Sequence, residues 1–443
     1  MGGQTAMLTP ERMLVDLIRL NTVNPPGNET LVARYLKDVC DSAGIENEII
    51  EGEQGRGNFF ARLGPQNGEQ RLLFLVHSDV VPVGEGWECD PFSGEMRGQL
   101  IYGRGARDCK GLLAAELYAL LRLAAEQVPL QGTLLFAATA DEEQGGRCGV
   151  RYLLDRCPQK LRADFAVNEG GEEPVVLGGQ TFFFFQVGEK GTAWSRLQTR
   201  GKACHGSVPT LGENAVTKMA TALHALTAYR AEIILIPEVR YLLQELGRAA
   251  GLDVSPYAPV AVETVDRLLD GLAAIDRDFA EGLRSMTRMT ISPNVVQGGN
   301  KTNIVPDACT ADIDIRLLPG EDEDYVRRAL RDCIGDAADV DVDIFNYYPP
   351  TFSTADSPHY YLLEQVTAQV AGREITCLPH ISPGATDSRF LRDAGIPCYG
   401  IGHMIPELDR EGRATIHGKN ERIDIPSLHL KADFLYALAR AYL

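Results

Sequence analysis

Two apolar runs dominate the first half of the chain. One spans Arg71 to Pro82, with Leu72, Leu73, Phe74, Leu75 and Val76 in succession, and the other spans Thr133 to Thr139. Runs this short, rich in β-formers and bounded by turn residues, predict strands covered on both faces. Between them, Gly111 to Glu126 is rich in Ala and Leu and predicts a helix. Upstream, Thr9 and Pro10 mark a helix start as cap and first-turn proline. Glu29 to Ala43 carries apolar residues at helical spacing. A further short strand is expected from Asp164 to Val167. Strand, helix, strand with glycine-rich turns describes an α/β domain with a mixed, mostly parallel sheet flanked by helices.

The periodicity changes near Gly188. Thr192 to Thr199, Asn294 to Gln297, Cys309 to Leu317 and Val340 to Phe345 predict strands, alternating most cleanly at Asp312-Ile313-Asp314-Ile315. Glu213 to Ala228 and Asp324 to Ile334 predict helices. The order β-α-β-β-α-β is the split, ferredoxin-like form of a small α+β domain with one wet sheet face. Leu235 to Ser292 is too long for a plain loop and shows helical periodicity, so a helical insertion is expected there. After Pro350 the first pattern resumes: a helix from Tyr361 to Ala371, a strand from Cys398 to Ile401 and a closing helix from Leu428 to Leu443. One discontinuous domain, 1–189 with 351–443, would therefore enclose a second, 190–350.

Composition narrows the class. Among 443 residues, 61 acids against 43 Lys and Arg give a net charge of −18. Such a surface repels phosphate backbones and anionic lipid, so neither nucleic acid nor membrane is an expected partner. The ten cysteines are scattered with no C-x-x-C pair, which reads as reduced thiols and a cytoplasmic protein. The N-terminal stretch lacks a basic region followed by an apolar run, and no apolar stretch approaches the length of a membrane span.

Five short segments carry candidate chemistry. His77 and Asp79 flank Ser78 at a strand end and share one side of the strand, where a carboxylate can orient an imidazole. Asp108 stands among glycines in GRGARDCKG before a helix, and taken alone it reads as a helix cap. Asp141-Glu142-Glu143 follows the second buried strand, where three adjacent acids repel one another unless something positive neutralises them. Two adjacent glutamates can also divide the labour, one binding a cation and one free as a base. Glu169 in NEGG and His417 in HGKNE complete the set, although either could be ordinary loop chemistry. The mixture of imidazole and carboxylate suits a divalent cation, most often zinc. Three carboxylates, two such cations and one hydroxide sum to zero charge and could be buried cheaply.

In that order, HSDVVP, GRGARDCKG, ADEEQGG, NEGG, GKACHGSVP and HGKNE resemble the two-zinc metallopeptidases and amidohydrolases that include acetylornithine deacetylase, succinyl-diaminopimelate desuccinylase, aminoacylase and glutamate carboxypeptidase. The resemblance implies a zinc-peptidase-like catalytic domain with an inserted lid domain used for homodimerisation. It implies that His77, Asp108 and Glu169 hold one zinc, and that Asp108, Glu143 and His417 hold the other. Cobalt or manganese would be substitutes. It makes Glu142 the general base, Asp79 the support of His77, and His205 a lid residue that helps hold the oxyanion. Asn303, Arg316, Gly384 and Thr386 match substrate-binding positions, Asn303 and Arg316 for a free carboxylate, although Arg316 could equally form a strand-surface ion pair. Cys109 stands where many relatives carry methionine, a change expected to be silent because the side chain need not touch metal.

The function expected is hydrolysis of an amide bond in a small peptide or N-acyl amino acid, as in carboxypeptidases, dipeptidases and deacylases. An aminopeptidase lacking a lid fits the second domain poorly. A catalytically silent binding protein on the same fold should have lost a ligand or the base, and none is missing here.

Overall fold

The computed structural model describes residues 8–255, 258–335 and 339–443. Its main strands, in chain order, are β1 (Glu46–Glu51), β2 (Gly57–Leu63), β3 (Arg71–His77), β4 (Thr133–Thr139), β5 (Phe165–Asn168), β6 (Gln180–Glu189), β7 (Gly191–Arg200), β8 (Thr290–Gly298), β9 (Ala308–Leu317), β10 (Val340–Tyr348) and β11 (Cys398–Ile401). The chain forms two compact units. One runs to Val187 and takes in Ser353–His380 and Thr386–Leu443; the other holds Gly188–Phe352 and Ile381–Ala385.

The sheet of the first unit runs β1-β2-β4-β3-β5-β11-β6. Its centre, β4 through β11, is parallel. The strands on either side join it antiparallel. This is the mixed, mostly parallel sheet that the sequence predicts. Leu72 to Val76 and all of β4 are buried, so both faces of these strands are covered. The helices Pro10–Ile18, Lys110–Ala125 and Ile425–Tyr442 pack on one another. Parallel strands deliver their C-terminal ends to one edge, where open α/β sheets place their sites. His77 ends β3 level with Thr139 at the end of β4, and Asn168 ends β5.

The second unit follows the predicted β-α-β-β-α-β order, with strands arranged β8-β9-β7-β10 and every neighbour antiparallel. Asn214 caps the helix Ala215–Ala228 by accepting from Val216 and Thr217 N–H, and Asp322 caps Glu323–Ile334. Met219, Leu226, Val326 and Leu330 pack with Leu197, Ile313 and Ile315 of the sheet. The insertion forms helices Pro237–Ala249, Val265–Ala273 and Arg277–Ser285. Arg284, in the last of these, and Arg288, just beyond it, both pair with Asp266 of the second. The insertion closes before the expected Ser292, because β8 starts at Thr290.

Strands β1, β2 and β6 have no counterpart in the sequence reading. In β1 the order Glu-Asn-Glu-Ile-Ile-Glu offers no apolar run, since this strand lies at the sheet edge. All ten cysteines are free. No helix among the described residues is long and apolar enough to cross a membrane.

One core residue makes stability depend on pH. Glu116, in the helix Lys110–Ala125, is fully buried, and neither carboxylate oxygen has a hydrogen-bond partner. Burial pushes its pKa well above the ordinary 4.5. The folded chain holds this proton while the unfolded chain releases it, so stability is full below about pH 4.5 and falls as pH rises toward the folded value. Glu116→Gln removes that dependence. Its melting temperature should exceed that of the parent, with a margin that widens from pH 5 to pH 8 in thermal scans; a constant margin would refute the assignment.

Candidate metal centre

The five metal-ligand candidates meet at the C-terminal edge of the first unit's sheet. His77 ends β3, Glu143 lies in the short turn Glu142–Gln144 after β4, and Glu169 follows β5. Asp108 precedes the helix Lys110–Ala125, and His417 lies in the loop before the closing helix. Asp108 is shared. Its Oδ1 is 3.0 Å from His77 Nε2, and its Oδ2 is 2.9 Å from His417 Nε2. Glu169 Oε1 stands 3.5 Å from His77 Nε2, and Glu143 Oε1 stands 3.3 Å from His417 Nε2. Asp108 is therefore no helix cap: the capping position is Cys109, and no side chain caps there.

This donor set fits two cations. Metal–ligand bonds of 2.0–2.2 Å in tetrahedral geometry place neighbouring donor atoms about 3.3 Å apart, close to the four separations observed. Glu143 Oε1 is buried without a hydrogen bond of good geometry, a cost that a cation would remove. The electrostatics agree. Burial disfavours a charged His77, yet Glu169 and the neighbouring acids outweigh it and raise its pKa well above normal. Contacts with Asp108 and Glu143 raise His417 to about 10. Burial pushes Asp108 upward, but His417 and His77 outweigh it and hold its carboxyl below the usual range. The carboxylates demand positive charge at both imidazoles, and divalent cations meet that demand while releasing the imidazole protons.

Surrounding groups fix the ligands. His77 Nδ1 is 3.0 Å from the Asp79 carbonyl oxygen and 3.4 Å from its carboxylate, so Nε2 turns toward Asp108. The Asp79 carboxylate mainly holds the glutamate turn: it accepts from Glu142 N–H (3.1 Å), Glu143 N–H (3.2 Å) and Asn24 Nδ2 (2.9 Å). Asp141 has a left-handed backbone (φ 71°), a conformation Asp tolerates, and it is pinned by Asn24, Arg56 and Cys148 N–H. Arg56 in turn pairs bidentately with buried Glu29. Gly146 closes the turn at φ 69°, where an added Cβ would lie 2.7 Å from Asp387 Oδ1. Burial, then the charge of Glu169, raises the Glu142 pKa well above normal.

Glu421 and Arg104 hold the Asp108 loop. Glu421 Oε1 accepts from Arg107 N–H (2.9 Å) and Asp108 N–H (3.0 Å); its Oε2 accepts from Arg104 Nη1 (2.6 Å) and Gly105 N–H (3.1 Å). Arg104 Nη2 reaches the carbonyl of His417 at 3.3 Å. The pair is completely buried. The sequence pattern alone assigns no role to Asn24, Arg56, Arg104, Asp387 or Glu421, although Arg104 and Glu421 lie inside the quoted motifs.

The other candidates occupy the second unit, apart from Thr386. His205 lies in a two-stranded ribbon with Ile304–Val305, its Nδ1 2.7 Å from Ser207 Oγ. Asn303 adjoins it, its carbonyl accepting from Gly206 N–H at 2.8 Å. Arg316 lies on β9 and forms the bidentate pair with Asp314 (2.6 and 3.1 Å). Gly384 N–H donates to Ser382 Oγ within the same unit. Thr386 Oγ1, in the first unit, accepts from Ser388 N–H.

A cluster of carboxylates and imidazoles at the end of a parallel sheet is a place where a divalent cation can be held for chemistry. Residues 73–441 match the profile of peptidase family M20/M25/M40, and the chain belongs to that family. A probable succinyl-diaminopimelate desuccinylase of Staphylococcus aureus is 27% identical over 387 residues, covering 86% of each chain. The human N-fatty-acyl-amino acid synthase/hydrolase is 26% identical, covering 92% of this chain and 80% of its own. Among solved structures, an M20 family metallo-carboxypeptidase of Sulfolobus solfataricus shares the fold with a TM-score of 0.71 at 22% identity, covering 98% of this chain and 99% of that one. Human carnosine dipeptidase 1 shares it with a TM-score of 0.64 at 16% identity, covering 98% and 96%. The protein is a metal-dependent hydrolase of amide bonds, a metallopeptidase or deacylase.

Glutamine at 421 would offer one acceptor oxygen to the four donors that Glu421 now satisfies, and would leave Arg104 buried without its counter-charge. Glu421→Gln should lower unfolding free energy by about 3–5 kcal/mol, measured by denaturant titration. A loss below about 1 kcal/mol, the scale of exposed ion pairs, would contradict this role.

Proposed function

We propose that this protein hydrolyses the amide bond of an N-acyl amino acid or short peptide bearing a free carboxylate. The observation that carries the reading is the Asp108-bridged double set of ligands with Glu142 adjoining Glu143. His77, Asp108 and Glu169 would hold one zinc, and Asp108, Glu143 and His417 the other, with cobalt or manganese as substitutes. Bound there, the cations lower the pKa of water toward about 7 and polarise the scissile carbonyl. Glu142 then serves as general base, taking the proton from the attacking water and returning it to the leaving amine. Asp79 acts through position, holding the amides of Glu142 and Glu143 and backing His77.

Residues 1–189 with 351–443 serve as the catalytic part in this reading, and 190–350 as a lid through which two copies pair. His205 would assist the oxyanion, and Asn303, Arg316, Gly384 and Thr386 would contact substrate, Asn303 and Arg316 at its carboxylate. Arg316 must then share its guanidinium with Asp314. Both sequence relatives are named for acyl groups on amino acids, which favours an acylated amino acid over a peptide. Free cysteines throughout support a cytoplasmic setting.

A panel of N-acyl amino acids and dipeptides tests the activity. Chelation should abolish turnover, and added zinc should restore it. Glu142→Ala should lower kcat by at least about 100-fold while elemental analysis finds the metal content unchanged. Turnover that survives this substitution would remove Glu142 from the mechanism, and metal-free protein inert after zinc or cobalt addition would sink the enzymatic reading.

A further inference from the structure

Cys109 follows the shared aspartate. It is 1% exposed, and its Sγ belongs to a group with a His77 ring nitrogen and a Glu169 carboxylate oxygen in which all three atoms lie within 4.8 Å of one another. Among the described residues, no other cysteine belongs to such a group, although Cys40, Cys148, Cys309, Cys377 and Cys398 are also buried. The setting is independently built for a cation. Glu143 Oε1, in the adjoining group with His77 and Asp108, is buried without a hydrogen bond of good geometry. His77 Nε2 and Glu169 Oε1 stand 3.5 Å apart, as two ligands of one ion would.

We propose that Cys109 Sγ is a sulfur donor to the cation held by His77 and Glu169. This rests on the reading of the site as a cation pair and assigns that site a selectivity. The thiol proton passes to solvent as the sulfur coordinates, and the thiolate adds a soft donor to an otherwise oxygen and nitrogen set. Soft sulfur favours zinc, cobalt and cadmium over manganese and magnesium, which prefer oxygen. The added negative charge also leaves the site less Lewis acidic than one with oxygen and nitrogen donors alone. The replacement expected to be silent is instead what sets the metal preference of this chain.

Cobalt spectroscopy on the full chain separates the two layers. Visible d–d bands report occupancy of the site, and a near-ultraviolet sulfur-to-cobalt charge-transfer band reports the thiolate. The parent protein should show both. Cys109→Ser and Cys109→Ala should keep the visible bands, lose the near-ultraviolet band, and lower the preference for cadmium over manganese by about ten-fold in competition. Visible bands without the near-ultraviolet band in the parent, or a band unchanged by both substitutions, would overturn the sulfur ligand and leave the cation site standing. No visible bands in the parent would overturn the cation site itself, and this proposal with it. Because the parent spectrum alone can overturn the assignment, it remains testable if a substituted chain fails to fold.

Discussion

The Asp108 side of the candidate metal centre depends on one buried carboxylate. Glu421 takes four hydrogen bonds, from three successive parts of the Gly103–Asp108 loop and from the Arg104 guanidinium. Desolvating two opposite charges is expensive, and only full satisfaction of their lone pairs and protons makes it tolerable. Here that satisfaction determines geometry. The loop that donates those bonds is held in the conformation that presents Asp108, and the arginine that completes them reaches the loop bearing His417. Two remote stretches of chain are thereby locked into the relative position that two histidines on one aspartate require.

A second lock works from the other side. Asp79 and Asn24 hold the turn carrying Glu142 and Glu143, and Asp141 ties that turn to the Arg56–Glu29 pair. The acids of the triplet thus have separate fates. Asp141 is spent on backbone conformation, Glu143 faces His417, and Glu142, held by its backbone N–H on Asp79, stands half-buried beside them. Three adjacent carboxylates look alike in a sequence; their partners make them different.

The legible parts of this fold are those whose signal is local. β3 and β4 announce themselves as continuous apolar runs because both faces are covered, and β9 alternates because one face is wet. β1 does not, since an edge strand needs no apolar run, and strand order is set by pairings that no local pattern encodes. The site follows the same division. His77, Glu143 and Glu169 sit in motifs at predicted strand ends, so their convergence can be expected from topology; Asp108, before a helix, and His417, in a loop, join them only through the motif order on which the family resemblance rests. The buried pair of Arg104 and Glu421 joins residues 317 apart, and nothing near either one reveals the other. Cys109 shows the converse limit: its neighbours along the chain make it unremarkable, and its neighbours in space do not.

The distance between residues 104 and 421 along the chain has a consequence for biosynthesis. The first 187 residues carry four of the five candidate ligands, and they are made before His417 and Glu421. Chains fold from the N-terminus as they emerge, so a nascent molecule holds an incomplete centre through most of its synthesis. Its Asp108 loop has no clamp and its second trio lacks a member. Until His417 and Glu421 are made, the candidate set lacks one imidazole, and the amides of Arg107 and Asp108 lack the carboxylate they donate to.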